Sequence, residues 1–271
     1  MDRPAPTPDA PTFDRAAVLD GADPGLAVVA AWTAAVDGWL ARLYEHALAS
    51  VGGPGPGDGS GVALVAIGGY GRAQLCPGSD LDLLLLHARA VDAEPIATAL
   101  WYPIWDAGLK LGHSVRTPKQ ALTLASDDLD TATALLDTRV LAGDRLLADA
   151  LAREAREQWE RRGKRWLARL ADSVDERHER ADEIAFLLEP DLKLARGGLR
   201  DIHAVRWAEA ARKVMLDDDH TTIDAAEADL LAIRAELHRV AGRAGDVLLL
   251  EQQDAVAAAL GLDGGADELM A

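Results

Sequence analysis

Two aspartates separated by a single leucine carry the clearest chemistry in this sequence. Asp80 and Asp82 begin a short apolar run, and strand alternation would turn both carboxylates to one face while Leu81 points into the core. Paired carboxylates suit Mg²⁺, which prefers oxygen ligands and is shared between carboxylates, phosphate oxygens and water. With two metal ions, one would activate an attacking hydroxyl and the other would stabilise a leaving pyrophosphate. The chemistry that such a pair can support is metal-dependent attack on the α-phosphate of a nucleoside triphosphate.

A glycine pair lies a short distance before the aspartates. Gly68 and Gly69 follow an apolar run, and glycines at such a strand end let backbone N–H groups approach an anion. Arg72 can add a charge-assisted contact to the same phosphates, and Ser79 precedes the first aspartate. An Asp-X-Asp alone is weak evidence in a chain with 45 acidic residues. The combination of strand, glycine pair, serine and spaced aspartates is what predicts a nucleotide site.

The elements that must position these residues follow from the spacing of apolar side chains. Residues 62–67 and 81–87 are short apolar runs that predict two buried neighbouring strands, and 109–117 predicts a third. Helical spacing covers most of the remaining chain, at 24–50, 91–107, 119–125, 128–141, 143–181, 199–216, 222–241 and 246–261. The pattern indicates an α+β chain in which a small sheet-containing unit is followed by an α-helical region.

The composition of connecting segments suggests where the domains divide. A proline-rich start predicts a mobile tail over 1–23, and the glycine- and proline-rich run 51–61 predicts a flexible connector. The predicted divisions are 1–23 for the tail, 24–60 for an N-terminal helix and linker, 61–142 for the catalytic domain and 143–271 for a helical domain.

Net charge and cysteine content limit the classes of function. A formal charge of −17 disfavours long nucleic acids, whose binding requires several phosphates to be neutralised at once. A small nucleotide with its own Mg²⁺ needs only a local pocket. The single cysteine, Cys76, excludes an internal disulfide and a multi-thiolate metal site. Without a signal-peptide pattern or a run of about 18 consecutive apolar residues, we expect a cytoplasmic protein without a membrane partner.

Three stretches resemble a known family. The pattern GGYGR at 68–72, followed by SDLDLLLL at 79–86, resembles the catalytic loop of the DNA polymerase β-type nucleotidyltransferases, most closely the bacterial [protein-PII] uridylyltransferases. Residues 109–122 and 127–144 are similar to the segment that follows in that family. EPDLK at 189–193 and GGLRDIH at 197–203 resemble its narrower signature, so the resemblance extends from about residue 25 to the end.

This resemblance implies a polymerase β-like mixed sheet flanked by helices, and transfer of UMP or AMP from UTP or ATP to a tyrosine of the PII nitrogen-regulatory protein. Mg²⁺ is the implied cofactor, with Asp80 and Asp82 as its ligands. The residues implied to hold the triphosphate and its loop are Gly68, Gly69, Arg72 and Ser79. The sequence does not distinguish UTP from ATP.

Two departures from the family pattern stand out. Gln74 replaces the usual glutamate, and the third carboxylate of the superfamily has only Asp106 and Asp128 as candidates by neighbourhood. The family's enzymes continue into a phosphohydrolase domain marked by a His-Asp doublet and into two ACT domains. No histidine in this chain is followed by aspartate, so we expect a fragment without the hydrolase.

Two other functions fit part of the pattern. A small-molecule nucleotidyltransferase of the aminoglycoside type shares the serine and aspartate motif, although the stretch 189–203 argues against it. A non-catalytic, nucleotide-binding regulatory fragment would lack the third carboxylate. The glycines at 197 and 198 either begin a helix or help to shape a nucleotide cleft.

Overall fold

A computed structural model describes residues 10–181, 183–212 and 220–270. Within these ranges the chain forms two compact units. The first contains the described residues up to Ala16, together with Thr33–Ala73 and Asp80–Glu157; the second contains Ala17–Trp32, Gln74–Ser79 and the described residues from Gln158 onward.

The first unit is built on a four-stranded mixed sheet. Its strands are β1 (Val62–Ile67), β2 (Leu81–His87), β3 (Leu111–Arg116) and β4 (Thr138–Gly143), in the spatial order β3-β2-β1-β4. β1 is antiparallel to both β2 and β4, whereas β2 and β3 are parallel. The two apolar runs in the sequence therefore form the central strands, as predicted, and their side chains are almost all buried.

Helices account for most of the remaining described residues. They are α1 (Arg15–Asp20), α2 (Leu26–Val51), α3 (Gly68–Gly71), α4 (Glu94–Asp106), α5 (Pro118–Leu124), α6 (Leu129–Ala134), α7 (Arg145–Arg161), α8 (Gly163–His178), α9 (Leu199–Arg212), α10 (His220–Ala241), α11 (Leu250–Leu260) and α12 (Ala266–Leu269). The mixed sheet with flanking helices and the helix-rich second unit confirm the predicted α+β class.

Local sequence explains where several of these elements begin. Thr117 and Gln120 form a reciprocal capping box at the start of α5, with Pro118 at its first position. Asp128 caps α6 by accepting a hydrogen bond from the Thr131 N–H at 2.8 Å. These caps fix the chain that leaves β3.

The structure corrects one helix prediction and divides another. The helix expected over 128–141 ends at Ala134, because β4 pairs with β1 in a partnership that local periodicity does not reveal. The helix expected over 143–181 is two helices that meet at Arg162.

The predicted domain divisions also differ from the two compact units. α1 lies within the segment predicted as a tail, of which residues 1–9 are outside the described residues. Most of α7, up to Glu157, belongs to the first unit, whereas residues 74–79 belong to the second. Each unit is therefore built from segments that are not continuous in the chain.

Each unit has its own apolar core. In the first, Trp39, Leu40, Leu43 and Tyr44 of α2 are fully buried, and the Tyr44 hydroxyl donates a hydrogen bond to the Val62 carbonyl at 2.9 Å. In the second, Leu192, Leu237, Leu248 and Val256 form one cluster. By length and composition α2 is apolar enough to cross a membrane, and 44% of its most apolar stretch is buried in the protein.

Candidate active site

Asp80 immediately precedes β2 and Asp82 is the second residue of the strand, with the predicted alternation around Leu81. Both aspartates are exposed, whereas the side chains of Leu81 and Leu83 are 1% exposed. The sheet therefore buries the leucines on either side of Asp82 and leaves both carboxylates accessible to a ligand. Carboxylates in this arrangement can supply oxygen ligands to a hard divalent cation.

Two glycines border the Asp82 carboxylate. Asp82 pairs in register with Gly112 of β3, and a Cβ at Gly112 would lie 2.4 Å from Asp82 Oδ1. On the other side, a Cβ at Gly68 would lie 3.9 Å from Asp82 Oδ2. The carboxylate thus lies between the turn that ends β1 and the edge strand β3, in space that a side chain at position 112 would fill.

The turn after β1 uses its glycines for different purposes. Gly68 has a φ of +60°, which favours glycine, and begins the short helix α3. Gly71 is required by packing, since a Cβ there would lie 1.8 Å from the Asp137 carbonyl oxygen. A Cβ at Gly69 would meet nothing closer than Arg72 Nη2 at 3.8 Å, so the side of the turn at Gly69 is open.

Arg72 lies beside this turn but is already paired. Its Nη1 donates to Asp137 Oδ2 at 2.6 Å, and both side chains are largely buried. A phosphate contact by Arg72 would therefore be shared with Asp137. The carboxylate also orients the guanidinium, because a charge-assisted hydrogen bond restricts its rotamers.

A second ion pair holds α3 in place. Arg139 of β4 donates to Asp37 Oδ2 at 2.5 Å and to the Tyr70 carbonyl at 3.1 Å, while the Tyr70 hydroxyl donates to Asp37 Oδ1 at 2.7 Å. Burial, reinforced by the Asp37 charge, raises the pKa of Tyr70 well above its usual range, so the phenol stays a donor. Sequence reasoning assigned no role to Asp37, Asp137 or Arg139, because each is far along the chain from its partner. Asp137 and Arg139 lie in the family-like stretch 127–144, but that resemblance does not show what they contact.

Ser79 belongs to the second unit. Its Oγ accepts a hydrogen bond from Arg234 Nη1 at 3.0 Å, and Arg234 Nε donates to Asp246 Oδ1 at 2.7 Å. Burial acts to raise the pKa of Asp246, but hydrogen bonds from His238 and Arg234 outweigh it and hold that pKa well below its usual range. Ser79 is thus anchored in a charged network within its own unit, an arrangement suited to the predicted support of the loop.

Neither candidate for the third carboxylate acquires a metal-binding neighbourhood. Asp106 is the last residue of α4, and Asp128 is engaged in capping α6. On β3, Gly112 and Ser114 share the face of Asp82 and carry no carboxylate. Over the ranges that the structure describes, no group of three or more His, Cys, Asp or Glu side chains is placed to hold a metal ion.

The second signature builds the framework of the second unit. The Gly197 N–H donates to Asp201 Oδ2 at 2.7 Å, and His178 Nε2 lies 2.9 Å from the same oxygen. Asp201 also pairs with Arg177. These contacts fix the start of α9, so the structure supports the helix-start interpretation of Gly197 and Gly198.

Gln74, the departure from the family pattern, contacts a buried carboxylate. Its Nε2 donates to Glu227 Oε1 at 2.9 Å, and His203 Nε2 lies 3.2 Å from the same oxygen. Arg206 pairs with the other carboxylate oxygen. Burial alone would raise the pKa of Glu227, but the bonds from His203 and Gln74 and the Arg206 charge lower it to about 2.

The mixed sheet, the glycine turn after β1 and the exposed aspartates at the start of β2 define a protein with the α+β nucleotidyltransferase fold. Residues 164–271 match the family described as GlnD PII-uridylyltransferase. Over 228 residues the chain is 47% identical to the bifunctional uridylyltransferase/uridylyl-removing enzyme of Streptomyces coelicolor, covering 83% of this chain and 26% of that protein.

Other relatives agree. The enzyme of the same name from Mycobacterium tuberculosis H37Rv is 44% identical over 218 residues, covering 76% of this chain and 27% of that protein. That from Ruegeria pomeroyi is 34% identical over 278 residues, covering 93% of this chain and 30% of that protein. An alignment over 93% of the chain necessarily includes residues 68–82. These matches confirm the resemblance to the PII-uridylyltransferases, and the chain spans 26–30% of the length of these relatives.

Proposed function

We propose that this chain is a Mg²⁺-dependent nucleotidyltransferase that moves UMP or AMP from UTP or ATP to a tyrosine of a PII protein and releases pyrophosphate. The observation that carries the proposal is the exposed pair Asp80 and Asp82 beside the Gly68 turn, in a chain whose relatives are named uridylyltransferases. We propose only the transfer activity for this chain. Uridylyl removal is the second activity in the name of the relatives, which are much longer.

The residues of the first unit have complementary roles in this reaction. Asp80 and Asp82 would hold Mg²⁺, which supplies charge neutralisation and lowers the pKa of the attacking hydroxyl. The exposed oxygen donors fit such a cation, and the glycines at 68 and 112 keep its surroundings free of side chains. Backbone N–H groups at Gly68 and Gly69, with Arg72, would orient the triphosphate. The tyrosine hydroxyl would release its proton to water, and its oxygen would bond to the α-phosphorus as the bond from that phosphorus to the pyrophosphate oxygen breaks.

The substrate is a small nucleotide rather than a nucleic acid. A chain with a net charge of −17 lacks the excess of basic residues that a phosphate polymer requires. A membrane partner is not part of the proposal, and the cytoplasmic location stays a prediction. The stretch 189–203 belongs to the segment that matches the PII-uridylyltransferase family, which disfavours the aminoglycoside-type alternative.

One observation favours a second candidate, a regulatory fragment that binds nucleotide without turnover. β3 presents Gly112 and Ser114, not a carboxylate, on the face of Asp82. If catalysis by this family requires a third carboxylate at that position, the chain would bind Mg²⁺ and nucleotide but release no pyrophosphate.

Pyrophosphate release with Mg²⁺ tests both candidates. The chain is incubated with UTP or ATP, with and without a PII protein, beside the double variant Asp80→Asn/Asp82→Asn. Asp149→Asn, an exposed aspartate of α7, controls for the change in charge. We expect release that requires the PII protein, reaches background in the double variant and persists in the control.

Nucleotide binding, measured by calorimetry with Mg²⁺, separates the outcomes. Binding without release by the folded wild-type chain would favour the regulatory fragment. Release that survives in the double variant would refute the assignment of Asp80 and Asp82.

A further inference from the structure

β3 is an edge strand whose outer backbone groups have no strand partner in the described ranges. It borders β2 alone, and the Lys110 carbonyl accepts a hydrogen bond from the Leu81 N–H at 2.8 Å. Backbone direction alternates along a strand, so the N–H and C=O groups of Leu111, His113 and Val115 point away from β2. Such a row can pair with an extended segment of another protein.

This open edge lies next to the proposed metal ligand. A strand added to β3 would lie two strand spacings from β2, or about 10 Å. The residue of β3 opposite Asp82 is Gly112, which has no side chain to block the path between the added strand and the carboxylate. A long side chain such as tyrosine, on the face shared with Asp82, can extend over Gly112 toward the metal pair.

The charges at both ends of β3 favour an acidic segment. Lys110 precedes the strand and Arg116 ends it. A pocket of about 980 Å³ at that end is lined in part by Arg89, Arg116 and Lys119, with Asp127 and Asp128 also among its lining residues. In the described part of the chain, none of these three cations has an ion-pair partner. Their charge stands out in a protein of net charge −17.

We infer that the free edge of β3 binds the protein acceptor by strand addition, taking an extended, acidic segment that carries the target tyrosine. The inference rests on the proposed function and specifies how its protein substrate docks. Backbone hydrogen bonds would supply affinity, the cations at the strand ends would set the preference for acidic neighbours, and Gly112 would admit the tyrosine. The same cations disfavour pairing with the edge of a second copy, since like charges would meet.

Val115→Pro tests the inference through a single backbone donor. The Val115 N–H points outward, so proline removes a contact to the acceptor and none to β2, and proline is tolerated at such positions of edge strands. Val115→Thr is the matched control because it keeps the N–H and the β-branched shape. We expect the KM for a PII protein to rise about tenfold or more in Val115→Pro, because this corresponds to the loss of at least one hydrogen bond. The KM for the nucleotide should stay unchanged in both variants.

Amide hydrogen exchange of the wild-type chain supplies a readout that does not depend on a variant. Saturating PII protein with Mg²⁺ and a non-hydrolysable UTP or ATP analogue should slow exchange at Leu111, His113 and Val115. Unchanged exchange, or equal acceptor KM in the proline and threonine variants, would overturn the inference. Protection that grows with chain concentration in the absence of PII would also overturn it, since a second copy would then occupy the edge.

These results separate docking from catalysis. If the wild type and Val115→Pro transfer the nucleotide equally well, strand addition is refuted and the proposed function still stands. If the wild type transfers nothing, the proposed function fails, and the exchange experiment still decides whether β3 binds the PII protein.

Discussion

A buried carboxylate in α10 should control much of the acid stability of the second unit. The Glu227 side chain is 7% exposed and accepts hydrogen bonds from Gln74 and His203 while it pairs with Arg206. Replacing it with glutamine removes the charge and keeps nearly the same shape. We expect Glu227→Gln to destabilise the second unit at neutral pH and to remove part of its sensitivity to acid.

The magnitude follows from the pKa. In the folded chain the pKa of Glu227 falls from an ordinary 4.5 to about 2. At 1.36 kcal/mol for each pH unit, this difference corresponds to about 3 kcal/mol of the free energy of unfolding. Because the folded-state pKa is the lower one, the contribution is fully present above pH 4.5 and is lost as pH falls from there toward 2. The free energy of unfolding of Glu227→Gln should therefore be lower than that of the wild type by up to about 3 kcal/mol at pH 7. The two values should become equal near pH 2.

Amide exchange in α9 and α10, corrected for its intrinsic pH dependence, reports the stability of this unit separately from the first. Asp229→Asn, an exposed position of the same helix, is the control and should leave the pH dependence unchanged. Equal protection of the wild type and Glu227→Gln at pH 7 would show that the contacts of Glu227 do not stabilise the folded state. A constant difference down to pH 2 would show that the charge of Glu227 does not contribute to stability.

Two further predictions concern neighbouring features. Gln74→Glu would place a second carboxylate against Glu227, so the urea concentration at the unfolding midpoint should fall at pH 7 and recover at acidic pH. A loss at the midpoint that does not change with pH would contradict this expectation. Gly71→Ala would bring a Cβ to 1.8 Å from the Asp137 carbonyl oxygen and should lower the melting temperature markedly. Gly69→Ala has open space beside it, so this variant should fold normally and bind nucleotide more weakly. Equal melting temperatures in the two alanine variants would refute the packing role of Gly71.

The sequence alone determined the features that depend on local chemistry. The bounds of β1 and β2 agree with the two apolar runs, because short stretches of buried valine and leucine between glycine and proline favour central strands. The exposure of Asp80 and Asp82 around a buried Leu81 follows from the two-residue period of a strand. The resemblance to the PII-uridylyltransferases likewise followed from short motifs, since these preserve residue types at fixed spacing.

Only the tertiary structure decided the features that depend on distant partners. Residues 138–141 of β4 were predicted as helix from their spacing, and the pairing of β4 with β1 outweighs that preference. The engagement of Arg72 by Asp137, the contact between Gln74 and Glu227 and the open edge of β3 join residues far apart in the chain. Spacing along the chain reports which way a side chain points within its own element. Which charge, carbonyl or empty space it meets depends on how the elements pack, and this packing is fixed by the burial of the whole core.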